Sequence, residues 1–223
     1  MKPIAHIEND FKEKFGIPRQ SGLAPSVTSV IVFDKKYRNP DALRGLEEFS
    51  HIWLIWGFSA NKEVPPAPTV RPPRLGGNTR KGVFATRSPY RPNPIGLSSV
   101  KVEAIHLESP RGPLILVSGA DLMNKTPIYD IKPYIYGDCH PEATSGFAEK
   151  AKEHRLTVQI PESLRAMIQP YTATSLIEIL SLDPRPSYQD DETRIYGITF
   201  GQLNVKFKVA NNVLKVCEIE KTL

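Results

Sequence analysis

The sequence predicts a mainly β protein, an antiparallel β-barrel followed by a small C-terminal α+β domain. Three observations carry that reading. Short apolar runs at 27–33, 51–58, 82–87, 97–107, 114–122 and 128–135 are separated by Gly, Pro, Asn and Ser, the punctuation of successive strands. Val100, Val102, Ala104 and His106 alternate with Lys101, Glu103 and Ile105, the period of a sheet with one better-buried face. Beyond Tyr136 the texture shifts to loop and charged residues and then to helical patterns. Closure into a barrel would remove the strand edges that so many short strands create.

Taken in order, the first half is interrupted once. Asn39 suits an N-cap, Pro40 suits the first turn, and Leu43, Leu46 and Phe49 form an apolar stripe, so a helix capping the sheet is expected there. Residues 137–145 read as loop and 147–155 as a polar helix or linker. The boundary therefore falls near 140–155, dividing the chain into 1–145 and 146–223. In the second part 161–168 and 174–182 read as helices and 195–200, 202–209 and 213–219 as strands. Asn211 and Asn212 supply the turn chemistry between the last two.

A chain of 223 residues, 40% of them hydrophobic, can bury a substantial core. No apolar run is long enough for a membrane helix, and the first residues lack a signal-peptide stretch, so a cytoplasmic protein with no membrane partner is expected. Cys139 and Cys217 form no CxxC pair. Together with the scattered histidines His6, His51, His106, His140 and His154 they show no ligand spacing, so no metal is expected. No Gly-x-Gly-x-x-Gly follows a strand and no phosphate-loop motif occurs, so a Rossmann or phosphate-loop site has no support.

The net charge of +5 is unevenly placed. Between Glu63 and Glu103 there is no acidic residue, yet Arg71, Arg74, Arg80, Lys81, Arg87, Arg91 and Lys101 lie there; elsewhere 22 basic residues face 24 acidic ones. A local basic stretch rich in Pro and Gly suits a rigid anion-handling loop system, and RNA phosphates are one such anion. A solvated basic loop is the bland alternative. Asp183-Pro-Arg-Pro-Ser-Tyr188 forms a second cluster directly after a helical pattern, and by itself it also reads as a helix stop.

Phe11-Lys-Glu-Lys-Phe-Gly-Ile-Pro-Arg-Gln-Ser-Gly-Leu23, Gly45-Leu-Glu-Glu-Phe-Ser-His-Ile-Trp53, Val70-Arg-Pro-Pro-Arg-Leu-Gly-Gly-Asn78 and Gly82-Val-Phe-Ala-Thr-Arg-Ser-Pro89 closely resemble the tRNA threonylcarbamoyladenosine N6-methyltransferase family. So do Arg91-Pro-Asn-Pro-Ile-Gly96, Thr126-Pro-Ile-Tyr-Asp-Ile-Lys-Pro-Tyr134 and the 183–188 cluster. The resemblance implies a homodimeric, S-adenosylmethionine-dependent methyltransferase of the β-barrel class. Its substrate would be the modified adenosine immediately 3′ of the anticodon in a threonine tRNA, and residues 146–223 would help bind that tRNA.

Carried over by motif, the cofactor would contact Pro18, Arg19, Gln20, Ser59, Ala60, Arg87, Leu97, Asp121, Leu122, Met123 and Asn124. Three places depart from the family pattern: Ser59-Ala60 where a His and a polar residue are frequent, Asn124-Lys125 where Asp-Gly is common, and Asn9-Asp10 where Ser-Pro is usual. The adenine N6 lone pair is delocalised, so an oxygen should accept its N–H, and Asp121, Asp130 or a backbone carbonyl could serve. Arg87 suits the methionine carboxylate as a fork, while Arg71, Arg74, Arg80 and Lys81 suit RNA phosphates. Arg185 and Tyr188 offer a guanidinium and a ring for unpaired bases. A non-catalytic RNA-binding module and a small-molecule methyltransferase on the same barrel are the alternatives.

Overall fold

The computed structural model describes residues 1–60, 65–72, 75, 79–151, 154–185 and 191–222. Six strands close into an antiparallel barrel in the order β1-β2-β7-β6-β3-β8: β1 (Ala5–Glu8), β2 (Thr28–Phe33), β3 (His51–Gly57), β6 (Ile95–His106), β7 (Leu114–Ser118) and β8 (Pro127–Pro133). Between β3 and β6 lies a two-residue pair, β4 (Thr69–Val70) with β5 (Lys81–Gly82). Alternate residues of the barrel strands point inward, so Ile7, Ile31, Ile52, Leu54, Val100, Ile115, Val117 and Ile128 are buried in one core. The closed ladder leaves the barrel without a free edge.

Several local expectations change. The helix expected from Asn39 is two short 3-10 turns, Pro40–Leu43 and Leu46–Glu48. Asn39 does cap the first, accepting from the Asp41 N–H at 3.0 Å, but Gly45 between them turns left-handed at φ 85° and ends the run. Of residues 82–87 only Gly82 pairs as strand, and Val83–Ala85 form a 3-10 turn. In β6 the register slips between Val102 and Ala104, so the buried phase passes to Ile105, which packs on the barrel core, and leaves His106 exposed.

The C-terminal sheet runs β10-β11-β12-β9, built from β9 (Thr157–Gln159), β10 (Tyr196–Phe200), β11 (Leu203–Ala210) and β12 (Val213–Lys221). Asn211 and Asn212 both have positive φ, the conformation that a tight two-residue hairpin requires. The charged helix expected at 147–155 is a 3-10 turn, Gly146–Ala151. The first predicted helix shrinks to α1 (Glu162–Arg165), and the second begins earlier, as α2 (Pro170–Ser181) with Pro170 in its first turn. Helix α2 buries Ala173, Leu176, Ile179 and Leu180 against this sheet.

This second core is not made from the C-terminal residues alone. The connection from β1 to β2 leaves the barrel, and Phe11, Ala24 and Val27 are buried among Phe200, Phe207 and Leu176, with Phe15 and Ile17 packed alongside. Phe11 meets Phe200 edge to face at 5.7 Å. Polar ties follow the same path: the Gly201 N–H donates to the Asp10 carbonyl (2.8 Å), Thr199 N–H to Glu13 (2.8 Å), and Ser26 to Glu178 through both N–H (2.9 Å) and hydroxyl (2.6 Å).

Candidate active site at the barrel mouth

The ends of β3 and β7 and the starts of β6 and β8 meet at one mouth of the barrel. Trp56 and Gly96 face each other across the β3–β6 ladder, and the indole lies on the glycine: a Cβ on Gly96 would come within 2.2 Å of the ring. The same Trp56 packs on Phe58 with centroids 4.4 Å apart. Its indole N–H donates to the Ser98 hydroxyl at 2.9 Å, and that hydroxyl donates to Asp121 Oδ1 at 2.5 Å. After β7, Gly119 turns left-handed at φ 74° against the backbone of Gly22, which brings Asp121 back over the mouth.

Burial pushes the Asp121 carboxyl above the ordinary aspartate range, against the opposing pull of Ser98, backbone donors including Ser21, and the Arg87 charge. A carboxylate held this way is a stronger proton acceptor than a solvated one. It lines a cavity of about 690 Å³ together with Arg19, Trp56, Phe84, Arg87 and Leu97. That size falls in the roughly 300–1,000 Å³ range of small-molecule sites. One carboxylate, the guanidinium groups of Arg19, Arg87 and Arg91, and several aromatic faces match a ligand that has both a charged amino-acid end and a flat base.

Of the residues expected at the cofactor, Pro18, Arg19, Ser59, Ala60, Arg87, Leu97, Asp121 and Met123 line this cavity; Gln20, Leu122 and Asn124 do not. Leu122 is fully buried in the barrel core, and Asn124 accepts from the Asn9 N–H. Asp130 lies elsewhere. Its carboxylate takes the Ile131 N–H (2.9 Å) and pairs with Lys132 (3.0 Å), and it borders a separate cavity of about 730 Å³ beside the turns around Leu43 and Leu46. That second cavity is of similar size, but its carboxylates are Glu48, which is exposed, and Asp130, which is already paired at the surface with Lys132, so the chemistry points to the first.

Among the residues expected at RNA, Arg71 and Arg80 are exposed, Arg80 bonds Thr69 (3.0 Å), and the Lys81 ammonium lies 5.8 Å from the Phe147 ring centroid. Arg185 is committed inward: its side chain is only 11% exposed and forks onto Asp183 at 2.9 and 3.0 Å. Arg74 and Tyr188 lie outside the described residues. Phe84 lies within the 82–89 motif without standing out in it, and no motif holds Trp56, Phe58 or Ser98. Their signal is the cross-strand pairing of Trp56 with Gly96, which appears only once the register is known.

At two of the three departures from the family pattern the local structure is well tied. Lys125 takes the left-handed conformation at φ 65°, the one a glycine adopts without cost, and its N–H still reaches the Ile7 carbonyl at 2.7 Å. Asn9 ties the 121–126 loop to the barrel by donating to the Leu122 carbonyl (2.9 Å) and to Ser29 (3.3 Å). Among the described residues no cluster of His, Cys, Asp or Glu could hold a metal, and no helix is long and apolar enough to cross a membrane.

Comparison with known proteins gives the class of this closed antiparallel barrel with a ligand-sized cleft at its mouth: a methyltransferase. Residues 6–139 match the tRNA-methyltransferase O N-terminal domain, and residues 153–222 match the TrmO C-terminal domain. The chain belongs to the tRNA-methyltransferase O family. It is 38% identical to the tRNA (adenine(37)-N6)-methyltransferase of Escherichia coli strain K12, over 97% of this chain and 96% of the relative. It is 40% identical to a Pseudomonas aeruginosa protein described as an S-adenosylmethionine-dependent methyltransferase, RcsF, over 92% and 90%. The crystal structure of TrmO from Pseudomonas aeruginosa superposes with a TM-score of 0.77 at 32% identity, covering 98% of this chain and 95% of that one.

Proposed function

We propose that the chain transfers the methyl group of S-adenosylmethionine to N6 of the adenosine immediately 3′ of the anticodon in a tRNA, and that its substrate is the threonylcarbamoyl-modified base of a threonine tRNA. The observation that carries the reading is Asp121: a carboxylate raised in pKa by burial, fixed by Ser98, and set in a ligand-sized cleft that Arg87 also lines. The named activity of the Escherichia coli relative, matched over nearly the whole of both chains, supports the position on the tRNA.

When bound, the cofactor supplies a methyl group made electrophilic by its sulfonium. The protein supplies position and a proton acceptor. Arg87 is the fork for the amino-acid carboxylate, Trp56, Phe58 and Phe84 offer apolar faces for the base, and Pro18, Arg19, Ser59, Ala60, Leu97 and Met123 complete the wall. Asp121 accepts the N–H of the target amine, because the raised pKa gives its oxygen the basicity that a delocalised nitrogen needs in its partner. Orientation of acceptor against donor accounts for a large share of the rate, on the order of 7–11 kcal/mol in well-aligned systems. Arg71, Arg80 and Lys81 meet tRNA phosphates, residues 146–223 form a second domain that contributes to tRNA binding, and the enzyme works as a cytoplasmic homodimer.

The decisive experiment incubates the full chain with labelled S-adenosylmethionine and tRNA that either carries or lacks the threonylcarbamoyl group, followed by nucleoside mass spectrometry. Methylation only of the modified adenosine in threonine tRNA is the expected result. Binding of tRNA without methyl transfer would make the chain a non-catalytic RNA-binding module and overturn the reading.

A further inference from the structure

One wall of the cleft is made by the β1–β2 connection, which leaves the barrel. Ile17, Pro18 and Arg19 line the cavity, yet the segment that carries them is packed on the C-terminal core through Phe11, Phe15 and Ile17. Gly16, at φ 92°, sits so close to Ile198 that a Cβ there would lie 3.3 Å from its side chain. At the tip of the segment, Arg19 Nη2 donates to the carbonyl of Arg185 at 3.2 Å, which crosses from the cleft to the turn after α2.

That turn is held unusually firmly. Asp183 is left-handed at φ 51°, a conformation that costs a non-glycine residue free energy and persists only where its surroundings enforce it. Its carboxylate accepts from Arg185 Nε (2.9 Å), Arg185 Nη2 (3.0 Å), the Arg185 N–H (3.3 Å) and His154 Nε2 (3.2 Å). The guanidinium of Arg185 lies 6.0 Å from the centroid of Tyr196, a ring that also meets Arg194 at 5.3 Å and stacks on Phe207 at 5.7 Å. A side chain bound on this many sides cannot swing out to a ligand, but it fixes its own carbonyl, and that carbonyl is the acceptor for Arg19.

We infer that the Asp183–Arg185 turn is a positioning element of the barrel's cleft: through Arg19 it holds the 14–20 wall in place from the C-terminal domain. The inference rests on the reading that this cleft takes S-adenosylmethionine. Asp183 and Arg185 touch no reacting atom, so they are positioning residues. Their effect on ligand affinity is exerted through Arg19.

The test uses the full-length protein, titration calorimetry with S-adenosylhomocysteine, and amide hydrogen exchange of residues 12–20 without ligand. Asp183→Asn keeps the volume of the side chain and removes the charge that forks Arg185. It is expected to weaken S-adenosylhomocysteine about tenfold, the scale of one lost charge-assisted hydrogen bond, and to speed exchange at 12–20 while the barrel strands stay protected. In an Arg19→Ala background the same change should add less than about twofold, because residues acting through one contact are not additive. Arg185→Lys, which keeps the cation but not the fork, should give a smaller loss of the same kind and serves if Asp183→Asn does not fold. Unchanged exchange at 12–20 in both variants overturns the inference, as does a full additional loss on Arg19→Ala. Weakened tRNA binding with unchanged exchange and cofactor affinity would assign the turn to the RNA and overturn it equally. If the wild-type protein fails to bind S-adenosylhomocysteine, the proposed function falls, while the exchange measurement still decides whether the turn holds the wall.

Discussion

The two hydrophobic cores of this protein are assembled on different plans. The barrel core is self-contained: it draws on Ile4 to Phe33 at one end of its span and Val100 to Ile131 at the other, and the ladder closes on itself. The C-terminal core is incomplete without Phe11, Ala24 and Val27, which come from the opposite end of the sequence. The barrel therefore supplies Trp56, Ser98 and Asp121, while the wall bearing Arg19 answers to the other core. A cleft made this way is a joint, and its integrity depends on two cores that can be perturbed separately.

The largest effect should come from striking each core in turn. Phe207→Ala in the C-terminal sheet and Leu54→Ala in the barrel remove fully buried side chains, and each should cost about 3–5 kcal/mol in urea unfolding. Only the first should also raise hydrogen exchange in residues 12–20 below the unfolding midpoint. Equal loosening of that segment by both variants would mean the cores are not separable. Next, Gly96→Ala should cost about 1–3 kcal/mol by forcing Trp56 off the strand. It should abolish measurable S-adenosylhomocysteine binding by calorimetry while leaving exchange of β10–β12 unaltered. Wild-type affinity in that variant would remove Trp56 from the site.

A smaller effect concerns Asp121. Burial makes the folded protein hold the proton of this carboxyl more tightly than the unfolded chain does. Its contribution to stability is therefore fully present below the ordinary aspartate pKa and is lost as the pH rises through the folded value. Asp121→Asn, which still accepts from Ser98, should raise the melting temperature at about pH 8 and lose that advantage towards about pH 4, while methyl transfer falls roughly 10²–10⁴-fold. A melting temperature gain that is independent of pH would show that the carboxylate is not destabilised by its surroundings. The smallest change is Lys125→Gly: relief of the left-handed backbone should slightly outweigh the lost exposed contact with Glu8, for a net gain of about 0.5 kcal/mol in urea unfolding. A loss exceeding about 1 kcal/mol would show that the Glu8 pair dominates instead.

What could be read in the sequence depended on how local the cause was. Long strands announce themselves, β3 as an unbroken apolar run and β6 by alternation around Val100 and Val102; β1 and β9, with four and three residues, are too short to show a period. The slip at Val102 was invisible because a bulge changes phase without changing composition. Gly45 broke the expected helix through a backbone conformation that apolar spacing does not register. In the site, Arg87 and Asp121 stand out as charged residues in motifs, whereas Ser98 gains its role from the neighbour across the ladder. The attachment of residues 11–27 to the second core could not be read from the sequence at all, since nothing near Phe11 in the chain points to Phe200.

That attachment has a consequence in time. On a ribosome that adds roughly 5–20 residues per second, Phe11 and Ile17 are made first and their partners on β10–β12 last, so the Arg19 wall waits roughly 10–40 s for its support. The barrel strands end at Pro133, so the barrel has all its residues well before β12 is made. A nascent chain can thus close its barrel while the cleft still lacks one side. The activity of a newly made molecule should then switch on only when β12 has emerged, which keeps incomplete chains from engaging tRNA productively at the site of their own synthesis.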